Sequence, residues 1–349
     1  MRAPHIVLLL LALSAGCSDP AVSDPGPWLE EPLPAEPSDV ASPTEDPVPP
    51  GRPVPPGDVE VSDGGTEPVD GGTESADSGT PVVDDRDVFG TRNLYPSVPQ
   101  GRTWAARWNA HPRTLKVSQQ DPYDPEFLLR GSDHTLEIPG NGTARSSGET
   151  IRFYIGTPDK TWLNTELTVY AMRVSELSST PGSTGFEFQT RTRDGHQEAS
   201  TRNAEGLDVR CDGHAYSYSL RFDGRAVLQK ELKHPTYTPQ VTKSLWGGQP
   251  LPRNQWVGIK VITYNLSGDR VKQELWLDLT NGKNGGRWRK VHENLDAGGW
   301  SIPPLVAATC QIPSDQRLTA PEPLIILRGH GIREQWFKKA TIREIQPPP

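Results

Sequence analysis

The densest run of potentially reactive side chains lies between Asp212 and Phe222. If this run is a strand, its period of two places His214, Tyr216 and Tyr218 on one face. Imidazole and phenol groups can exchange protons, and a nearby cation can neutralise an acid group of a substrate. Tyrosines buried in a sheet core would give the same pattern, so the sequence allows both interpretations.

An enzymatic hypothesis assigns roles to four side chains. His214 or Tyr218 would move the proton, and Lys230 or Arg221 would face the acid group of a polysaccharide. Alternate positions of a strand point to opposite faces, so Arg221 and Tyr218 do not serve one cleft. Under this hypothesis the protein is a polysaccharide lyase or a glycoside hydrolase. Its catalytic residues would be His214, Tyr218 and Lys230.

A binding hypothesis uses aromatic and basic side chains to hold a glycan, because indole and phenol rings suit stacking on sugar rings. Trp246 and Trp300 lie in Gly-rich loops, where a ring can be an exposed platform or a plug. Trp256, Trp276 and Trp336 lie inside apolar strands and are predicted to belong to the core. The full set of candidate binding residues is Tyr216, Arg221, His234, Tyr237, Trp246, Trp300, Arg191, His196 and Gln197.

The last three of these residues belong to a second Asp-Gly-His run, Asp194–Gln197, and to the segment before it. Arg191 and Arg193 share a face if that segment is a regular strand. Two arginines in this position form an anion site, or a solvated edge that blocks pairing between sheets. The sequence leaves both alternatives open.

Alternating apolar residues predict strands throughout residues 88–349. Asp223–Gly224 predicts a tight hairpin turn between two of them. No amphipathic helix of three turns is found. We therefore predict an all-β fold, a two-sheet antiparallel β-sandwich of the jelly-roll type. The clearest strand segments are 151–156, 166–174, 185–191, 216–222, 225–232, 256–264, 271–279, 324–328 and 336–345.

Cys211 and Cys310 are the only cysteines after residue 17, and an exported pair is predicted to form a disulfide. No metal site is expected, because cysteines and histidines lack the spacing of metal ligands. No cofactor is expected either, since phosphate-binding and dinucleotide-binding motifs are missing from the sequence. Lysines and arginines are scattered, so a nucleic-acid partner is not expected.

Residues 1–16 have the features of an export signal, with Arg2 before the apolar run Ile6–Leu13. The run ends at Leu13–Cys17, which resembles the bacterial lipobox. The resemblance implies cleavage before Cys17, acylation of its sulfur, and anchoring in the bacterial cell envelope, at the outer membrane or cell surface. The membrane would then be a partner through the acyl groups.

Residues 17–87 are rich in proline, glycine and acidic residues and carry only two cations, Arg52 and Arg86. Such a composition predicts a disordered tether. The whole chain has a net charge of −8, and these acidic residues more than account for it. Residues 88–349 are therefore basic, which favours an anionic partner such as acidic polysaccharide.

The strand set, the segment Gly329–Gly331 and the ending Trp336–Ile345 resemble the concanavalin-A-like jelly-roll superfamily over roughly residues 145–346. That superfamily includes lectin-like modules, glycoside hydrolases and polysaccharide lyases. The run Glu274–Asp278 departs from the paired carboxylates of laminarinase-type hydrolases. The arginine-rich, Gln-x-His and Tyr-x-Lys strands of alginate lyases are not recognisable either.

These observations favour a surface lipoprotein whose sandwich binds carbohydrate, with acidic polysaccharide as the ligand class that fits the charge. The alternatives are a lyase or hydrolase on the same fold, and a structural envelope protein without sugar binding.

Overall fold

The computed structural model describes residues 85–132, 134–148, 150–177, 185–196 and 201–348. All of them belong to one compact unit, Ala76–Pro349. The predicted export signal, Cys17 and the tether up to residue 84 lie outside the described residues, as does Gln197. Among the described residues, no helix is both long enough and apolar enough to cross a membrane.

Two nine-stranded sheets, antiparallel throughout, form the unit. Sheet 1 consists of β1 (Thr103–Ala105), β2 (Arg113–Lys116), β5 (Thr135–Ile138), β6 (Thr143–Ser147), β8 (Thr165–Glu176), β14 (Val257–Leu266), β15 (Arg270–Asp278), β16 (Arg289–Asp296) and β18 (Ile332–Glu344). Sheet 2 consists of β3 (Gln120–Asp121), β4 (Asp124–Ser132), β7 (Thr150–Ile155), β9 (Gly185–Thr192), β10 (Ala215–Arg221), β11 (Arg225–Lys233), β12 (Thr236–Tyr237), β13 (Val241–Ser244) and β17 (Leu324–His330). The predicted all-β, two-sheet antiparallel sandwich is confirmed.

The spatial order of the strands differs from their order in the chain. Sheet 1 runs β16-β15-β14-β8-β18-β6-β5-β2, with β1 beside β18. Sheet 2 runs β12-β11-β10-β9-β17-β7-β4-β3, with β13 beside β11. The one α-helix of the described residues is short, α1 (Pro304–Thr309). Asp223 and Gly224 form the predicted turn between β10 and β11.

The main core lies between the two sheets and takes alternate residues from each strand. Phe153 of sheet 2 and Phe337 of sheet 1 meet across it with ring centroids 4.9 Å apart. Side chains at the intervening positions point away from the core. Each sheet therefore has an outer face, and these two faces lie on opposite sides of the sandwich.

The outer face of sheet 1 is crossed by residues 85–98, which we call the N-terminal strap. Asp87 accepts a hydrogen bond from the Thr341 hydroxyl at 2.9 Å, and the Tyr95 hydroxyl donates to Glu274 at 2.8 Å. Beneath the strap, Lys260 and Arg343 both pair with the fully buried Glu166, at 2.5 and 2.6 Å. The strap is thus part of the folded unit.

Candidate functional site

The predicted catalytic residues Tyr218 and Lys230 lie inside the sandwich, together with Tyr216. All three side chains are fully buried. The Tyr218 hydroxyl donates to the carbonyl of Ile262 at 2.8 Å. Tyr216 and Lys230 both donate to Asp296, each at 2.8 Å. The shared face of β10 is therefore the core face, and these residues bind the two sheets together.

His214 lies apart from them, at the end of the sandwich. Its Nδ1 lies 2.9 Å from the carbonyl of Cys211, and its Nε2 lies 3.2 Å from Glu322. Arg193 also donates to Glu322, at 2.9 Å. These residues line a pocket of about 360 Å³ beside the disulfide. Hydrogen bonds from His214 and Arg193 outweigh burial and hold the pKa of Glu322 below its ordinary value.

The predicted disulfide between Cys211 and Cys310 is confirmed, with Cα atoms 5.5 Å apart. It ties the segment before β10 to the end of α1. A bridge that closes a separation of 99 residues contributes on the order of 4 kcal/mol through the entropy of the unfolded chain.

Arg191 is also internal rather than part of a surface anion site. Its backbone has a φ of 57°, which turns the side chain out of the regular alternation of β9. The guanidinium donates to Asn265 at 2.5 Å, to Asn164 at 3.3 Å and to the carbonyls of Leu163 and Leu318. Burial lowers the pKa of Arg191 to about 10. Its donors are thus satisfied inside the protein.

The outer face of sheet 2 carries a row of three arginines, Arg130, Arg152 and Arg328, which we call the arginine row. Arg152 of β7 pairs in register with Arg130 of β4 on one side and with Arg328 of β17 on the other. All three side chains are half-buried. Neighbouring strands lie about 4.8 Å apart, so the row places three like charges within about 10 Å. Like charges directly opposite each other destabilise a sheet.

One carboxylate, Glu187 of β9, extends the row. Arg328 donates to it at 2.9 Å, and so does the hydroxyl of Ser217, at 2.8 Å. Within the described residues, Arg152 has neither a hydrogen bond nor an ion pair, and the Nε atoms of all three row arginines lack a hydrogen-bond acceptor. Burial, and then the charge of Arg328, lower the pKa of Arg152. The row therefore carries more positive than negative charge.

Arg221, a predicted binding residue, lies on the same outer face at the end of β10. It pairs with Gly185 of β9, two residues along that strand from Glu187. Its side chain is buried, and burial followed by the charge of Arg225 lowers its pKa. Arg221 thus adds a fourth cation to the face that holds the arginine row.

Two predicted histidines lie beside the row, in what we call the histidine cluster: Tyr154, His196, His234, Glu231 and Tyr237. The rings of His196 and His234 lie with centroids 4.2 Å apart. The Tyr154 hydroxyl lies 3.1 Å from Nδ1 of His196, and Nδ1 of His234 lies 2.8 Å from Glu231. Tyr154 follows Arg152 by two residues on β7, so cluster and row share one surface.

The pKa values of three side chains in the histidine cluster are shifted from their ordinary values. Burial, assisted by the charges of Arg152, His234 and Arg328, lowers the pKa of His196 to about 2. Burial raises the pKa values of Tyr154 and Tyr237. At neutral pH His196 is therefore uncharged and the two tyrosines keep their protons.

The two loop tryptophans contact the protein rather than standing free. Trp246 and Trp300 are half-buried and pack against the main core. The indole nitrogen of Trp300 donates to the carbonyl of Pro239 at 2.8 Å, and the Lys230 ammonium lies 5.7 Å from its ring centroid. Both rings serve as plugs in this structure.

The sequence contains one signal for the arginine row. Arg130, Arg152 and Arg328 each stand at an outward position of a strand, next to apolar residues that point into the core. An arginine in such a position exposes its charge on the face that the strand turns away from the core. Their alignment could not be predicted, because β4, β7 and β17 are distant in sequence and only the sheet order brings them together.

Neither a protein-family model nor a curated protein matches the chain. Among solved structures, the alginate lyase Aly36B, a mutant in complex with an alginate tetrasaccharide, has a TM-score of 0.40 and 12% identity, covering 71% of this chain and 98% of the other. Arcelin-5, a lectin-like defence protein from Phaseolus vulgaris, has a TM-score of 0.35 and 10% identity, covering 68% and 100%.

A Bacillus subtilis protein of unknown function with a galectin-like fold has a TM-score of 0.36 and 9% identity, covering 70% of this chain and 100% of the other. The three names are of the lyase and lectin-like kinds that the jelly-roll resemblance implied. At these identities and TM-scores they carry no argument about what this chain binds.

Proposed function

We propose that the sandwich binds an acidic polysaccharide across the outer face of sheet 2. The observation that supports this proposal is the arginine row, three cations in register with one carboxylate beside them. A fold gains no stability from such a row, because neighbouring like charges repel. A ligand that brings carboxylates or sulfates to the row would remove that repulsion.

The chemistry of the guanidinium group favours this ligand class. Arginine presents a planar fork of donors that matches carboxylate and sulfate groups, and it remains charged at all physiological pH values. The Nε atoms of the row are buried, so the terminal nitrogens of the half-buried guanidinium groups would contact the ligand. Gln189 and Ser217 pair with each other on the same face, but both are buried and donate to Glu187, so the arginines are the groups that a ligand would meet.

Affinity electrophoresis with alginate, polygalacturonate and hyaluronate tests the proposal. We expect retardation by at least one acidic polymer, weakened by added salt as charge screening requires. Arg152→Ala should weaken that binding tenfold or more. The matched control is Arg289→Ala, an exposed arginine of β16 in sheet 1. Equal binding by both variants, or no retardation at low salt, would contradict the proposal and favour a structural role.

A second candidate, a polysaccharide lyase, is favoured by the histidine cluster beside the row. In β-elimination the C5 proton of a uronate leaves, the C4–O4 bond breaks, and a C4–C5 double bond forms while O4 gains a proton. Tyr154 would protonate O4, and Arg152 would neutralise the carboxylate. His196 would accept the C5 proton, a role that requires the bound carboxylate to offset the charge of Arg152 and so to raise the pKa of the imidazole from its low value in the free protein. The 3.1 Å distance between Tyr154 and His196 supports a shared proton path.

Ultraviolet absorbance of unsaturated uronates separates the two candidates. Polymer that binds without any increase in absorbance supports the binding module. An increase that Tyr154→Phe abolishes, while binding persists, supports the lyase. An increase that persists unchanged in both Tyr154→Phe and His196→Gln would contradict the assigned roles.

We further propose that the chain is a lipoprotein of the bacterial cell envelope, acylated on Cys17. The segment Leu13–Cys17 supports this proposal. Metabolic labelling with a palmitate analogue tests it. We expect label and membrane association in the wild type and loss of both in Cys17→Ser. Label that is retained in the variant would refute the anchor.

A further inference from the structure

Two tryptophans, Trp256 and Trp336, stand on either side of β8 in sheet 1. Trp336 of β18 pairs with Met172 of β8. Trp256 directly precedes Val257, which pairs with Ala171 of the same strand. The two indoles are therefore separated by one strand, which corresponds to about 10 Å across the sheet.

Both rings face away from the core, contrary to the prediction that they belong to it. Their neighbours Phe337 and Val257 are core residues, so strand alternation turns the two indoles outward. Each ring is half-buried. The ammonium of Lys338 lies 4.3 Å from the ring centroid of Trp256, and the guanidinium carbon of Arg145 lies 5.8 Å from that of Trp336, so each ring has a cation over one face that a sugar would displace or adjoin.

Both hydrogen-bond donors and hydrogen-bond acceptors surround Trp336. Arg145 donates to Glu334 at 3.0 Å and to Glu137 at 3.2 Å. The indole nitrogen of Trp336 also donates to Glu334, at 3.1 Å. Side chains of this rim are partly exposed, 39% for Arg145 and 27% for Glu334. A rim with both charges suits hydroxyl groups, whereas the arginine row of sheet 2 suits anions.

We propose that Trp256, Met172 and Trp336 form a second glycan-binding surface, for a neutral, extended, β-1,4-linked chain. The apolar faces of sugar rings can stack on indoles, which offer large apolar surfaces for such a contact. The backbone positions of the two tryptophans lie about 10 Å apart. This spacing is close to the disaccharide repeat of such a chain, so alternate sugar rings would meet the two indoles. This site lies on the side of the sandwich opposite the arginine row and does not depend on it.

The shape of the surface selects an extended ligand. The two rings lie along one row of a sheet, with Met172 between them as an apolar floor. A β-1,4-linked chain keeps successive rings nearly in line along its length. A helical α-1,4-linked chain turns its rings away from a straight row, so it cannot meet both indoles.

Isothermal titration calorimetry with cellohexaose as the probe tests the proposal, and maltohexaose serves as the comparison. We expect binding of cellohexaose only, and a loss of tenfold or more in Trp336→Ala and in Trp256→Ala. The matched control is Trp276→Ala, because Trp276 lies on the same sheet but packs beside Tyr264 in a separate cluster. Thermal unfolding midpoints confirm that each variant is folded, and Trp336→Leu replaces Trp336→Ala if the latter is not.

Absence of cellohexaose binding by the wild type at millimolar concentration would overturn the proposal. So would equal losses in the Trp276 control, or equal binding of maltohexaose. Because the probe carries no charge, the result is independent of whether the arginine row binds acidic polymers.

Discussion

Arg152 and Arg328 lie directly opposite each other on neighbouring strands, and only Arg328 has a carboxylate partner among the described residues. The same relationship holds between Arg152 and Arg130 on its other side. Arg152 therefore lies between two cations and forms no ion pair with the described residues. Replacing Arg152 should therefore affect the stability of the fold and the binding of acidic polymers in opposite directions.

We expect Arg152→Met to stabilise the fold while it weakens binding of acidic polymers. Removing a like charge from the middle of the row should raise the unfolding free energy by on the order of 0.5 to 1 kcal/mol. Urea denaturation measures stability, and affinity electrophoresis measures binding. A destabilised variant that still binds would show that Arg152 has a structural role instead.

His196 should make the protein less stable in mild acid. Its pKa of about 2 in the folded state lies far below the ordinary value of 6.5. The unfolded chain therefore takes up a proton below pH 6.5 that the folded protein refuses, and stability is lost as the pH falls. The expected loss from this group is about 2 kcal/mol at pH 5.

Unfolding free energies of wild type and His196→Gln, measured between pH 7 and pH 5, check this expectation. The variant should show a flatter profile than both the wild type and His111→Gln, an exposed control. Parallel profiles for all three proteins would rule out the assigned cause.

Asp124 should produce the opposite pH dependence. Its side chain is buried beside Trp104, and burial raises its pKa from 3.8 to about 6. The folded protein therefore holds a proton that the unfolded chain has lost between pH 4 and pH 6. Stability from this group is present below pH 4 and falls by about 3 kcal/mol as the pH rises to 6.

The difference between wild type and Asp124→Asn isolates this contribution. The variant should lose the decrease between pH 4 and pH 6, whereas the exposed control Asp159→Asn should keep it. An unchanged slope in Asp124→Asn would show that the carboxyl is ionised in the fold throughout that range.

The buried ion pairs under the N-terminal strap predict that the fold loses stability when their shared carboxylate is removed. Glu166 is fully buried and pairs with both Lys260 and Arg343. Glu166→Gln leaves two buried cations without a countercharge and should cost about 3 to 5 kcal/mol. Lys260→Met keeps the pair of Glu166 with Arg343 and should cost less. Denaturant unfolding measures both, and equal costs would contradict this account.

Local patterns in the sequence predicted most of the long strands, the turn at Asp223–Gly224 and the disulfide, but they missed β16 and several short strands. The period of two also placed Tyr216 and Tyr218 on one face correctly. It could not say which face, because a tyrosine with a buried partner such as Asp296 satisfies its hydroxyl in the core. The hydroxyl groups of these tyrosines therefore did not indicate an open binding cleft.

Residues that depend on sheet order were beyond the reach of local patterns. Glu187 reaches Arg328 because β9 pairs with β17, a strand from the other end of the domain. Trp336 was predicted to be buried because its strand is apolar, but its side chain points to the outer face of sheet 1 and is half-buried. Non-local pairing, rather than residue type, determined both outcomes.

The N-terminal strap also determines how the protein would bear a mechanical load. If the proposed anchor and the proposed ligand are both present, a pull on the chain before the strap would reach the side of sheet 1, whereas a polymer on the arginine row would pull on sheet 2. The force would then cross the thickness of the sandwich instead of running along the hydrogen-bonded strands. The first contacts to yield would be those of the strap, Asp87 with Thr341 and Tyr95 with Glu274, so peeling of the strap would lengthen the connection before either sheet opened.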